Sequence, residues 1–275
     1  MKVAFCFSGQ IRNIDECINY WKPIIDSYNA DVYGSFWEIH EEKDPVLNPM
    51  WKFITAFNPK KIEFEDFSIF EKTTVNIFTE ELNPPVWVGT IGLSVETGKF
   101  TKKGNMLPMF YKIWRSNLLA NKEEYDVVVR LRTDVFLSDF KIELNDYLNI
   151  PHGSIGVWNW KDCFGPVDLL AYGNQKVMNY YSTAYLYLTR FLKDGEYFFP
   201  AENLLRVHLS QKDITIKNFI SYVYLFRNIH LLEEGVPHMG SHNTSNAEER
   251  IFSSKEWVRD PKNINPLLNF RKTFD

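Results

Sequence analysis

Residues 2–8, KVAFCFS, form a short apolar run of strand-forming residues that ends at Ser8-Gly9-Gln10. Residues 15–28 follow with apolar positions at helical spacing, so the chain opens as strand, loop, helix. The alternation repeats: a strand is predicted at Asp31–Phe36, a helix around Val46–Phe57, and a third strand at Lys61–Phe64, just after the Asn58-Pro59 breaker. Strands alternating with helices predict a mostly parallel sheet with helices on its faces. Between about residue 83 and residue 105 the pattern dissolves into Pro, Gly, Thr and Lys, which predicts a long surface loop of the length used for lids.

The pattern resumes with a helix at Leu107–Lys122, apolar at Met109, Ile113, Leu118 and Leu119 and polar at Lys112 and Arg115. Asp126–Leu131 comes next, with three successive valines, the signature of a central strand buried on both faces. Further strands are predicted at Ser154–Trp158, Val167–Tyr172 and Ile214–Lys217, and helices at Asn174–Leu192 and Ala201–Ser210. From about His230 the chain is polar and loop-like, with no core pattern of its own. One α/β domain of Rossmann-like build accounts for this order.

Bulk properties narrow the chemistry. The 275 residues are 45% hydrophobic and 24% charged, ordinary for a globular enzyme. The aromatic complement of 22 Phe, 14 Tyr and 8 Trp is rich, supplying core rings and faces on which a base or sugar can pack. A net charge of −4 without a lysine or arginine block argues against nucleic acid as the main ligand. Cys6, Cys17 and Cys163 are odd in number and lack metal-site spacing, so a disulfide framework is not expected and a reducing compartment is. MKVAFCFSG reaches Gly, Gln and Arg before a signal core accumulates, and no stretch has the ~18 apolar residues of a membrane span. A cytoplasmic protein is the expectation.

In open α/β sheets ligands lie beyond the carboxyl ends of the strands. The loop leaving the first strand, Ser8-Gly9-Gln10-Ile11-Arg12, offers a glycine for close backbone approach, a hydroxyl, an amide and a guanidinium. An ordinary strand-to-helix turn explains the same residues. The loop leaving the valine strand, Arg130-Leu131-Arg132-Thr133-Asp134, carries two cations and a carboxylate, and an extended strand puts all three on one face. They read either as a structural ion pair or as groups for a diphosphate and a divalent metal.

AFCFSGQIRN, DVYGSFW, NMLPMFYKIWRSNLL running into YDVVVRLRTDVFL, and the later DLLAYGNQKVM and PAENLLRVHL together resemble GT-A-type glycosyltransferases of bacteria and large viruses, over roughly residues 1–210. Such enzymes build surface polysaccharide or decorate glycoproteins. The resemblance implies a GT-A-like fold, with residues 1–135 as a nucleotide-sugar-binding half, 136–230 as an acceptor-side half and 231–275 as a loop-rich C-terminal segment. It implies a nucleoside diphosphate sugar as donor and a saccharide or glycan as acceptor. Ser8, Gly9, Gln10 and Arg12 would meet the nucleotide, Asp31 or the loop after it the base or ribose, and Arg130, Arg132 and Asp134 the diphosphate. Asp134 takes the place of the last aspartate in the family's Asp-any-Asp metal motif, and Arg132 stands where the first belongs. Either Asp134 holds Mn²⁺ or Mg²⁺ with outside help, or the arginines replace the metal.

Sugar transfer with inversion needs a carboxylate to take the acceptor proton. Glu202, at the predicted start of a helix, lies where inverting members of the family often place their base, although a first-turn glutamate also merely complements the helix dipole. Asp162 and Asp168 flank the turn Cys163-Phe164-Gly165-Pro166, with a turn cap and an arginine salt bridge as their structural alternatives. Trp158 and Trp160 lie on one side of an extended strand, as core rings or a sugar platform. His242, in the loop shared with His238, is the family-style candidate for a late metal ligand. Two rivals stand beside the transferase: a sugar nucleotidyltransferase, for which SGQIRN is a poor glycine-rich loop, and a non-catalytic sugar- or nucleotide-binding module.

Overall fold

The computed structural model describes residues 1–38, 48–75, 106–137, 153–160, 165–193, 201–212, 214–218 and 223–225. In chain order the elements are β1 (Val3–Gly9), α1 (Ile14–Ser27), β2 (Asp31–Trp37), α2 (Pro49–Phe57), β3 (Lys61–Glu65), α3 (Phe67–Phe70) running into a π-turn at Glu71–Val75, and α4 (Met106–Ala120). They continue with β4 (Val127–Leu131), β5 (Val135–Leu137), β6 (Ser154–Trp160), β7 (Gly165–Gly173), α5 (Gln175–Ser182), α6 (Ala184–Lys193), α7 (Ala201–Ser210), β8 (Thr215–Asn218) and β9 (Val223–Leu225).

Seven strands form one sheet in the order β3-β2-β1-β4-β7-β6-β8, and β5 pairs with β9 in a small second sheet. β1, β2, β3 and β4 are mutually parallel, β7 runs antiparallel to both β4 and β6, and β6 is parallel to β8. The mostly parallel sheet flanked by helices expected from the sequence is therefore the one observed. β7 is the strand that matters for the site. Because it runs against β4, with Leu131 opposite Leu170, its first residues reach the edge where β4 ends.

Each face of the sheet carries a core. Phe5, Phe7 and Phe36 pack under α1 and α2, with Trp21 and Phe53 fully buried. Ala4, Cys6, Tyr33 and Val128 point to the other face, where Phe110, Ile113, Tyr181 and Leu205 of α4, α5 and α7 cover them. This is why the first strand reads as a continuous apolar run: it is covered on both sides. Cys6 and Cys17 are buried free thiols, and burial pushes both above the ordinary thiol range.

α1 presents Ile14, Cys17, Trp21, Ile24 and Ile25 along one stripe. α2 starts where Asn48 accepts a hydrogen bond from the Met50 amide and Pro49 occupies the first turn. The single helix predicted over 174–192 is two. Ser182 Oγ donates to the Asn179 carbonyl at 2.9 Å and Thr183 Oγ1 to that of Tyr180 at 2.6 Å, and these hydroxyls compete with the backbone ladder where α5 ends. β5 and β9 are three-residue strands that the sequence pattern does not announce.

Among the described residues, no helix is long and apolar enough to cross a membrane. The predicted lid at 83–105 and the C-terminal segment from 231 lie outside the described residues.

Candidate functional site

β1 and β4 are neighbours, so the loops leaving them meet. Ser8 is buried at the end of β1, and Gly9 has φ +108°, a conformation that side-chain-bearing residues rarely adopt. The loop after it is fastened to the end of β4. The Arg12 amide donates to Thr133 Oγ1 at 2.8 Å, and that hydroxyl lies 3.4 Å from the Gln10 carbonyl. Gln10 Oε1 accepts from Arg12 Nη2. α1 braces the other side, with Trp21 Nε1 donating to the Val135 carbonyl at 2.8 Å and Tyr20 donating to that of Leu137.

The prediction that Arg130, Arg132 and Asp134 share one face is corrected. β4 stops at Leu131, and Thr133 and Asp134 turn before β5 begins. Arg130 stays on the α4 and α5 side, buried at 2% exposure, and its Nε donates to Ser8 Oγ at 3.2 Å. Asp134, 1% exposed, acts electrostatically on Cys17 of α1. Arg132 folds back onto it, Nε to Oδ1 at 2.8 Å and Nη2 to Oδ2 at 2.6 Å. Arg12 Nη1 stands 3.6 Å from the same Oδ2. Burial opposes the Arg132 charge, but Asp134 outweighs it and leaves the guanidinium more basic than usual.

Beyond β4 lies the start of β7, with Asp168 buried. Glu202, in the first turn of α7 and half-buried, is within electrostatic reach of it. Burial first, and the Asp168 charge second, push the Glu202 carboxyl up to about 7. Tyr181 of α5 completes the group. Burial raises its phenol, and it interacts electrostatically with Arg130 and Asp168. Burial conversely pulls the Arg130 guanidinium down, against the influence of Tyr181, Asp168 and Asp134. Arg130 Nη1, Asp168 Oδ2 and Tyr181 Oη are buried polar atoms without a hydrogen-bond partner among the described residues. Three such atoms in one electrostatic neighbourhood mark a place prepared for polar contacts that the described residues do not make.

Ser8, Gly9, Gln10, Arg12, Arg130, Arg132, Asp134, Asp168 and Glu202 are thus brought to one edge of the sheet. Asp31 is not. It opens β2 opposite Ala4, at the amino end of the strands, where it pairs with Lys60 at 2.7 Å and accepts from Tyr125 at 2.7 Å. That surface network, which also joins Lys2 to Glu123, closes the far end of the sheet. Asp162 and His242 lie outside the described residues, as do Cys163 and His238, and the side chains of Trp158 and Trp160 are likewise not described.

Sequence reasoning passed over two members. Thr133, fully buried, sits between two charged residues, where a hydroxyl at a strand exit is the available signal. Tyr181 has none: in the sequence it is one apolar position of a helix.

A divalent ion does not fit the described part of the site. Both Asp134 oxygens are taken by Arg132, and among the described residues no three acidic, histidine or cysteine side chains gather as a metal site. A cation there would displace two charge-assisted hydrogen bonds and sit against guanidinium groups.

No family model matches this chain, and no curated protein matches it. Distant likenesses occur among solved structures. A putative glucose-1-phosphate thymidylyltransferase from Bacillus anthracis, in complex with a sucrose, aligns over 82% of this chain and 88% of its own at 10% identity and a TM-score of 0.38. The galactosyltransferase LgtC, in complex with donor and acceptor sugar analogs, aligns over 79% of this chain and 73% of its own at 12% identity and a TM-score of 0.40. Likenesses of this strength assign this chain neither a family nor an activity.

Proposed function

We propose that this protein transfers a sugar from a nucleoside diphosphate sugar to a saccharide or glycan acceptor. The observation that carries the reading is the convergence of Arg12, Arg130 and Arg132 with the carboxylates Asp168 and Glu202 at the carboxyl edge of β1 and β4. Guanidiniums suit a diphosphate, and carboxylates suit sugar hydroxyls and proton transfer. Ser8, Gly9 and Gln10 line the nucleotide side, and residues 1–135 form the donor half.

In the reaction, an acceptor hydroxyl oxygen bonds to the anomeric carbon while the bond from that carbon to the phosphate oxygen breaks. The electron pair leaves with the nucleoside diphosphate, where the arginines meet the charge. Glu202 takes the acceptor proton. Its carboxyl, raised to about 7, suits a base working near neutral pH. Burial raises it most and the charge of Asp168 adds to that, while Arg130 and Tyr181 lie within electrostatic reach of Asp168.

The test is nucleoside diphosphate release from a panel of nucleotide sugars with mixed saccharide acceptors. Release that depends on acceptor, falling by about 100-fold or more in Glu202→Gln with donor binding kept, is the expected result. Donor binding without hydrolysis or transfer would make the protein a binding module, and pyrophosphate release from a nucleoside triphosphate and a sugar phosphate would make it a nucleotidyltransferase.

A further inference from the structure

The closed pair between Arg132 and Asp134 has the opposite polarity to a metal site. Asp134 is 1% exposed, both of its oxygens accept from Arg132, and Arg12 stands 3.6 Å from one of them. A magnesium ion needs carboxylate oxygens at about 2.0–2.1 Å with an open octahedral shell. Here the carboxylate faces two guanidiniums. Arg132 spends Nε and Nη2 on Asp134, two of the five N–H donors of an arginine, and its side chain keeps 16% exposure. The Arg12 side chain is 44% exposed, with its backbone amide tied to Thr133. Two cations of different exposure are thus oriented by one buried anion, next to a third guanidinium, Arg130, whose Nη1 is buried without a partner among the described residues.

We infer that Arg12 and Arg132 do for the donor's diphosphate what a divalent cation would otherwise do, and that Asp134 positions the two guanidiniums instead of ligating a metal. The inference rests on the donor reading above and deepens it. Binding then needs no added metal, because each guanidinium offers fixed charge and paired donors to phosphate oxygens. When the sugar leaves, the electron pair of the broken bond stays on the diphosphate, and its charge is met without proton transfer from the arginines.

The experiment is calorimetric titration of ADP, CDP, GDP, UDP and dTDP into the full chain, in EDTA and then in excess Mn²⁺ or Mg²⁺. The expected result is that the tightest of the five binds in EDTA, with Kd changing by less than about 3-fold on adding metal. Mn²⁺ titrated alone and followed by its EPR signal should stay free in solution. Arg132→Met should weaken metal-free binding by about 10-fold or more, while Asp134→Asn, which keeps an acceptor for Arg132, should retain it within about 10-fold. Binding that appears only with Mn²⁺ or Mg²⁺ and vanishes in Asp134→Asn overturns the inference and leaves the donor reading standing. No binding of any nucleotide under either condition overturns both. The wild-type comparison stands even if a variant fails to fold.

Discussion

Arg130 Nε donates to Ser8 Oγ across 3.2 Å, tying the end of β4 to the end of β1 beneath the candidate site. Among the described residues it is the one hydrogen bond of a guanidinium with 2% exposure, whose Nη1 has no partner there. A buried charge held so lightly depends on its electrostatic neighbours, Asp168 among them. Arg130→Met and Asp168→Asn should each destabilise the fold, and the double variant should lose less than the sum by about 1 kcal/mol. Urea denaturation of the four proteins measures that coupling. Additivity would show that the two groups do not sense one another.

Thr133 is the pin of the first loop. Its buried hydroxyl accepts from the Arg12 amide and reaches the Gln10 carbonyl. Thr133→Val keeps the shape and strands the amide, at a cost of about 1–2 kcal/mol. Hydrogen exchange at the Arg12 amide should accelerate well beyond the change at β1. Equal acceleration everywhere would mean global destabilisation without loop release.

Lys112 is fully buried, 2.5 Å from Glu65 Oε2 and 4.2 Å over the Trp37 ring. Tyr111 donates to the other Glu65 oxygen at 2.9 Å. Removing one member strands a buried charge. Glu65→Ala should therefore cost about 3 kcal/mol, and adding Lys112→Met to it should recover part of the loss. Chemical denaturation that ranks the double variant below Glu65→Ala would refute this account.

His208 sits buried between aromatic rings, stacked on Tyr180 at 4.3 Å and tilted to Tyr187 at 5.2 Å. Nε2 lies 2.8 Å from the Tyr180 carbonyl and 3.3 Å from Thr183 Oγ1, while Nδ1 is buried without a partner among the described residues. Lys212 lies over the far ring system, 5.7 Å from the Tyr180 centroid. Burial lowers the imidazole, and the bond to the Tyr180 carbonyl only partly opposes that. The unfolded chain accordingly takes up the proton first as pH falls. Stability tied to His208 is complete above about 6.5 and is lost below it, by at most ~1.4 kcal/mol per pH unit. Glu202 works in the other direction: its native carboxyl is raised to about 7, so its contribution grows as pH falls from there toward the ordinary carboxylate range. Melting temperature against pH in a Glu202→Gln background isolates the histidine. An unchanged acid limb in Glu202→Gln/His208→Asn would assign the loss elsewhere.

Glu202 also sets a kinetic prediction. Under the proposed function, with Glu202 as base, sugar transfer should rise with pH through about 7, since that carboxyl must be ionised to accept a proton. Asp168→Asn removes a charge that raises it, so the limb should move to lower pH. A limb that stays in place would separate the two carboxylates.

Periodicity was enough to read β1, α1, β2, β3, α4, β4 and α7, because each buries a face whose spacing follows from 2 or about 3.6 residues per repeat. VVVRL is the plain case: both faces are covered, so nothing interrupts the apolar run until charge appears at its end. The break at Thr183 was not legible, since the helix ends there in a turn with the Thr183 amide on the Tyr180 carbonyl while the hydrophobic stripe continues. Nor were β5 and β9, three residues each and paired across a long separation. Among the site residues, the charged exit of β4 and the glycine loop of β1 were visible as residue types placed at strand ends.

Their arrangement belongs to the tertiary structure. That Arg132 closes on Asp134 depends on the chain turning at Thr133 and Asp134 once β4 ends at Leu131, where α1 takes hold of β5. That Asp168 joins the arginines depends on β7 running backwards beside β4, which no local pattern specifies. The same topology sends Asp31, identical in chemistry, to the opposite end of the sheet. The sequence determined which segments are strands and helices and which loops carry charge, because burial and periodicity are local. Strand order and direction decided which of those charges meet, because electrostatic contact falls on whatever the packed sheet brings within a few ångströms.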